Sequence, residues 1–266
     1  MRATRPLHRR PGPHEVTSIM KKSLVPAIAL SSFALLHAPL ALAGDEPLVK
    51  AASIDLDGDG KPEDISLEAK EDAKGFSYVL KVGAATVNTR SDAEVHGFVI
   101  VDIDSGDKRK EVAVHTGMTD HDSYDALYAF DGKALKSMGS VHTPIEVKGN
   151  GIILSNTWQG FWNRVDKYVV DAKAGKLTHV PQEFYAVGKE AQVRESFPIT
   201  QTRSDSKPVA QLAKGSTIQV LLAVLLPVKG QRYKDNAYLV KSSTGLVGWV
   251  SESVLTSKTE GLPFAG

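Results

Sequence analysis

Apolar and polar residues alternate in short runs along most of the chain, the period-two pattern of strands that bury one face. Beyond residue 43 no segment holds an apolar period of ~3.6 across a helix-length window. The runs predict hairpins. Residues 76–82 and 84–89 flank Gly83, residues 126–130 and 134–139 flank Asp131-Gly132, and residues 167–171 and 176–180 flank Ala172-Lys173-Ala174-Gly175. Asp-Gly between alternating runs is the strongest of these turn signals. Each hairpin carries a tyrosine on its first strand: Tyr78, Tyr128 and Tyr168.

Each hairpin also follows a strand–loop–strand unit. These are Ala51–Leu67, Val99–Val114 and Ile145–Leu154. The tyrosines stand 50 and 40 residues apart, and Asp55 to Asp102 is 47. Periods of this size belong to arrays of about four strands per unit. Closed propellers take 4–8 blades, so three units predict either an incomplete, propeller-like stack over residues 44–187 or one small β-domain there. Residues 188–197 read as a linker. Short strands resume at Val209–Leu212, Ser216–Leu226, Ala237–Lys241 and Gly248–Val250, with turns at Lys214-Gly215 and Thr244-Gly245. Residues 258–266 read as a tail.

The N-terminal 43 residues stand outside this pattern. Met20-Lys21-Lys22, an apolar run from Leu24 to Leu42, and Ala41-Leu42-Ala43 before Gly44 predict a secretory signal peptide. Residues 1–19 precede Met20 as an expected mis-assigned start. Pro26, His37 and Pro39 interrupt the run, which argues against a membrane span. The expected location is periplasmic or extracellular. The leader takes six of the 32 Lys+Arg and one of the 31 Asp+Glu, so the remainder is mildly acidic. Such a chain has no electrostatic footprint for nucleic acid. It has no cysteine, so its stability owes nothing to disulfides.

The densest chemistry is Asp55-Leu56-Asp57-Gly58-Asp59-Gly60-Lys61-Pro62-Glu63-Asp64. Alternating carboxylates around two glycines suit Ca²⁺, a hard cation that takes six to eight oxygens. The expected ligands are Asp55, Asp57 and Asp59, the Lys61 carbonyl, and Glu63 with Asp64 beside it. The stretch resembles the metal loops of FG-GAP/VCBS-type repeats, D-x-D-x-D-G-x-x-D, over nine residues. It departs from an EF-hand, because Ser66 stands where the bidentate Glu belongs. The resemblance implies a structural ion. The second loop keeps Asp102 and Asp104, but Gly106 and Lys110 replace acids, Asp107 and Glu111 compensate only in part, and Lys108, Arg109 and Lys110 neutralise it. The third has Lys148 and Asn150, and no metal is expected there.

Two further segments carry candidate chemistry. Asp120-His121-Asp122 with Asp125 offers an acid–base constellation, although neighbours in one loop seldom converge as catalytic groups from distant segments do. Trp158-Gln159-Gly160-Phe161-Trp162 would grip a sugar or partner, or plug the open end of the stack. The chain lacks a Cys nucleophile, G-x-S-x-G, H-E-x-x-H and a phosphate-cradling glycine loop.

Residues 198–257 resemble bacterial SH3 domains. The match runs through Arg203-Ser204, Val209, Leu212, Gly215, Ile218, Val220-Leu221, Val240, Gly245 and Gly248-Trp249-Val250. Tyr238 takes a position usually held by Trp, and 222–228 is longer and more apolar than the pattern. The resemblance implies a small β-barrel that binds wall glycan or peptide, with Tyr238 and Trp249 as expected contacts; Trp158 and Trp162 of the aromatic loop are the other expected ligand contacts. The expectation is thus an exported, all-β, non-catalytic binding protein of the cell envelope, with one structural Ca²⁺ and wall glycan or an envelope protein as partner. The alternatives are an envelope hydrolase using His121 and its carboxylates, or a spacer without a ligand.

Overall fold

In the computed structural model, residues 47–119, 122–204, 207–225 and 236–264 are described. The signal-peptide expectation lies outside them, as does His121. Among the described residues no helix is long and apolar enough to cross a membrane.

Three four-stranded antiparallel sheets follow one another along the chain. The first orders β1 (Ala51–Ile54), β2 (Glu63–Asp72), β3 (Gly75–Val82) and β4 (Ala85–Ser91) as an uninterrupted meander. The second does the same with β5 (Val95–Val101), β6 (Glu111–Thr116), β7 (Tyr124–Phe130) and β8 (Leu135–His142). The third comprises β9 (Ile145–Val147), β10 (Ile152–Trp158), β11 (Asn163–Asp171) and β12 (Lys176–Val180). The three predicted hairpins are present as β3–β4, β7–β8 and β11–β12.

Side-chain alternation explains how the sheets stack. On β3, Tyr78, Leu80 and Val82 are buried on one face. The second sheet is buried on both. Phe98, Val112, Val114, Tyr128 and Phe130 join a core with Leu56, Ile65, Leu67 and Leu80 of the first unit. Their chain neighbours Val99, Ala113 and Leu127 join another core with Ile145 and Ile153 of the third. A strand covered on both sides reads as a continuous apolar run, as Phe98–Val101 of β5 and Val112–Val114 of β6 do.

The C-terminal strands form a seven-stranded sheet in the order β15 (Pro208–Leu212), β14 (Phe197–Thr200), β18 (Val247–Ser251), β17 (Ala237–Ser242), β16 (Thr217–Val224), β13 (Tyr185–Val193) and β19 (Thr259–Glu260). The fold is all-β with several antiparallel sheets, none closed into a barrel. Its single α-helix among the described residues, α1 (Glu252–Lys258), is capped by Ser251, whose side chain accepts from the Val254 N–H, and buries Leu255.

Residues 188–197, expected as a linker, supply most of β13 and the start of β14. Strand β13 pairs with both β16 and β19. Tyr185, Val187, Ala191 and Val193 keep the period-two burial. Lys189 occupies the inward position between them, and the register shifts between Ala186 and Lys189. That charge and bulge disguise the strand in the sequence. The expected tail likewise contains β19.

Candidate functional site

The loop between β1 and β2 is built around an apolar anchor. Leu56 is fully buried, although acids flank it on both sides. Its N–H donates to Glu63 Oε2 at 2.8 Å, and its carbonyl accepts from the Lys110 N–H of the next unit at 2.9 Å. Asp55 accepts from the N–H groups of Gly58 (2.8 Å) and Gly60 (2.9 Å), and Asp57 from that of Asp59 (3.0 Å). These bonds are the side-chain-to-backbone turns that Asp favours. Gly58 has φ +79°, and a Cβ there would lie 3.0 Å from the Lys108 Cβ, so the loop seats directly on its successor.

This folding brings one oxygen each of Asp55, Asp57 and Glu63 within 4.8 Å of one another. Each carboxylate has about four lone-pair sites, so those bonded to the backbone keep acceptor capacity toward a cation. Hard carboxylate oxygens are the donor set Ca²⁺ takes, and the residues fit the ion in kind. Asp59 and Asp64 are not members of this group. Asp59 accepts from its own neighbour, the Lys61 N–H at 2.8 Å, and pairs with Lys61 Nζ at 3.5 Å. Asp64 follows Glu63 on β2 and, by alternation, points to the opposite face.

The loop between β5 and β6 copies the frame. Ile103 is buried like Leu56, its N–H donates to Glu111 Oε2 at 3.1 Å, and its carbonyl accepts from the Gly151 N–H at 2.8 Å. The acids differ. Asp104 accepts from the Gly106 N–H and Asp107 from that of Arg109, each closing its own turn. Asp102 Oδ1 is buried without a hydrogen-bond partner. Burial pushes the Glu111 carboxyl up to about 7; the Ile103 N–H opposes this, and Asp107, Asp102 and Asp104 add to it. Among the described residues, only the Asp55–Asp57–Glu63 carboxylates converge as a possible metal group. In the third loop Gly149 offers its carbonyl to the Ser105 N–H and Oγ.

The four candidate aromatic residues separate into two pairs. Trp162 and Tyr238 meet in the core of the C-terminal sheet, where Trp162 Nε1 donates to the Tyr238 hydroxyl at 3.1 Å. They are 1% and 0% exposed, so neither ring presents a face to a ligand in solution. Phe161, also buried, packs on Tyr238 with ring centroids 5.4 Å apart. The aromatic loop thus serves cohesion: a bulky β10–β11 connection fills the C-terminal core. Trp158 and Trp249 stay half-exposed. Arg203 lies over the Trp249 ring, 5.6 Å from its centroid.

The Asp166 cluster, and the pairing of Asp125 with His115, were not foreseen from the sequence. Asp166, 2% exposed on β11, accepts from Arg164 Nε (2.7 Å) and the Tyr185 hydroxyl (3.2 Å), with His179 Nε2 at 3.1 Å. On sheet two, buried Asp125 lies 3.0 Å from His115 Nδ1. Their signal was faint because strand register, rather than spacing, brings together partners 10 to 19 residues apart. No protein-family model and no curated protein sequence matches the chain.

Proposed function

We propose that this is an exported, non-catalytic binding protein of the cell envelope. In this reading the first three sheets are units of an incomplete propeller of FG-GAP/VCBS type, held by one structural Ca²⁺ at Asp55, Asp57 and Glu63. The C-terminal sheet is an SH3-like module directed at wall glycan or an envelope protein. The convergence of three carboxylates from one loop supports the ion. An ion that binds the ordered loop and not the open chain adds stability by mass action.

The observation that carries the binding role is the half-exposed Trp249, stacked under Arg203 on the sheet surface. Aromatic and Arg side chains placed this way are common anchors of interfaces. Glycine at 248 lets β14 come close, since a Cβ there would sit 2.9 Å from the Ile199 Cβ and the Thr200 carbonyl. The test is co-sedimentation of the full chain with purified sacculi. Wild type should pellet, and Trp249→Ala and Arg203→Ala should stay in solution while melting normally. Wild-type protein that remains soluble would sink the wall-glycan reading. Point variants are preferable to truncation at residue 198, which would strip β13 of β16 and β19.

A further inference from the structure

We propose that the cleft between the first and second sheets is a binding site for a neutral saccharide, independent of the Trp249 surface. The cleft encloses about 570 Å³, within the ~300–1,000 Å³ of small-molecule sites. Its floor is a chain of hydroxyls whose tyrosine rings are buried, Tyr78 2% and Tyr128 3% exposed, so the partly exposed Thr89 is the member that presents the chain to a ligand. The Tyr78 and Tyr128 hydroxyls lie 2.6 Å apart, and the Thr89 hydroxyl lies 3.2 Å from that of Tyr128. The two tyrosines mark equivalent positions in their units, so the repeat itself assembles this floor.

The chemistry of the floor selects the ligand. Each hydroxyl offers one proton and two lone pairs. Three hydroxyls joined by two contacts keep one proton to give at one end and lone pairs to accept at the other. Either atom of each contact can be the donor, so the chain can reverse its direction. Such a floor complements groups that both donate and accept, which means ligand hydroxyls. Burial holds the Tyr78 phenol neutral, its pKa raised far above the ordinary range. Among the described residues, the single Arg or Lys on the cleft wall, Arg90, is committed to Asp72 at 3.1 Å, while Asp92 and Asp122 also line the wall. Anionic ligands therefore meet repulsion without a free cation to offset it. Tyr124, 39% exposed and packed over His142 at 4.2 Å between ring centroids, adds an aromatic wall. Amphipathic rings of this kind pack against apolar C–H faces while their hydroxyls stay wet.

Isothermal titration of the full chain with glucose, N-acetylglucosamine and its β-1,4-linked disaccharide tests the assignment. At least one should bind saturably at millimolar concentration. Tyr124→Ala and Tyr128→Phe should each weaken it about tenfold, roughly one hydrogen bond or stacking contact. Trp249→Ala should leave it unchanged, which separates this site from the C-terminal surface. Melting curves control for folding, and Tyr124, being exposed, gives a variant that keeps its core if Tyr128→Phe does not. Absence of saturable binding by all three sugars overturns the proposal. So does binding that survives Tyr124→Ala, or inorganic phosphate binding more tightly than the sugars.

Discussion

The first two interstrand loops share a frame and differ in what their acids do. In both, a buried aliphatic residue donates its N–H to a glutamate at the head of the next strand. The glutamate comes seven residues later in the first loop and eight in the second. In the first, two aspartates turn toward that glutamate. In the second, Asp104 and Asp107 close local turns as Asp55 and Asp57 do, but among the described residues no such group forms: Asp102 Oδ1 is buried without a partner, and Glu111 is driven toward its neutral form. Anchoring a loop and holding a cation are therefore separable. The frame needs an apolar plug and a carboxyl cap, while the ion needs further carboxylates free to converge.

That comparison can be broken at the plugs first. Leu56→Ala and Ile103→Ala should each cost about 2–5 kcal/mol by the cavity they leave, read as urea midpoints. A loss at Leu56 alone would show that the second loop is not anchored as the first is. The caps should differ in pH response. The Glu111 pKa is raised from 4.5 to about 7 on folding, so between those values the folded state keeps a proton the unfolded chain has released. Stability should fall as pH rises through this window, level above it, and be fully present below 4.5. The span is at most about 3 kcal/mol. Glu111→Gln should flatten that limb of the pH–stability curve, and an unchanged limb would refute the assignment.

Calcium should distinguish the loops next. At a hundredfold excess over its dissociation constant, the ion should add about 2.7 kcal/mol. Wild type and Asp102→Asn should melt higher with Ca²⁺ than with chelator, and Asp57→Asn should not. Equal melting of wild type in both would refute the metal site. The smallest effect concerns the surface pair. Arg203→Ala should cost only about 0.5–1 kcal/mol, the worth of an exposed cation–π contact; a much larger loss in thermal melts would mean that Arg203 holds the sheet together.

The all-β class and the three hairpins were legible because alternation and Asp-Gly turns are local signals. The convergence of Asp55, Asp57 and Glu63 was legible for the same reason: one short loop carries all three. Spacing alone showed five carboxylates available and not that Asp55, Asp57 and Glu63 are the ones that converge. Trp162 and Tyr238 were misleading for a different reason. They lie 76 residues apart, and only tertiary packing decides that two aromatic residues bury each other. Asp166 with His179 and Tyr185 was invisible on the same ground. The β13 strand was hidden by one inward lysine.

The carbonyl of Leu56 accepts from the second loop, and the carbonyl of Ile103 from the third. Each unit thereby touches its neighbour through the same backbone link, and stability in such an array is a sum of unit terms and nearest-neighbour couplings. A disturbance of the first loop should reach the third attenuated, relayed through the middle sheet, so the units would behave as a short cooperative chain.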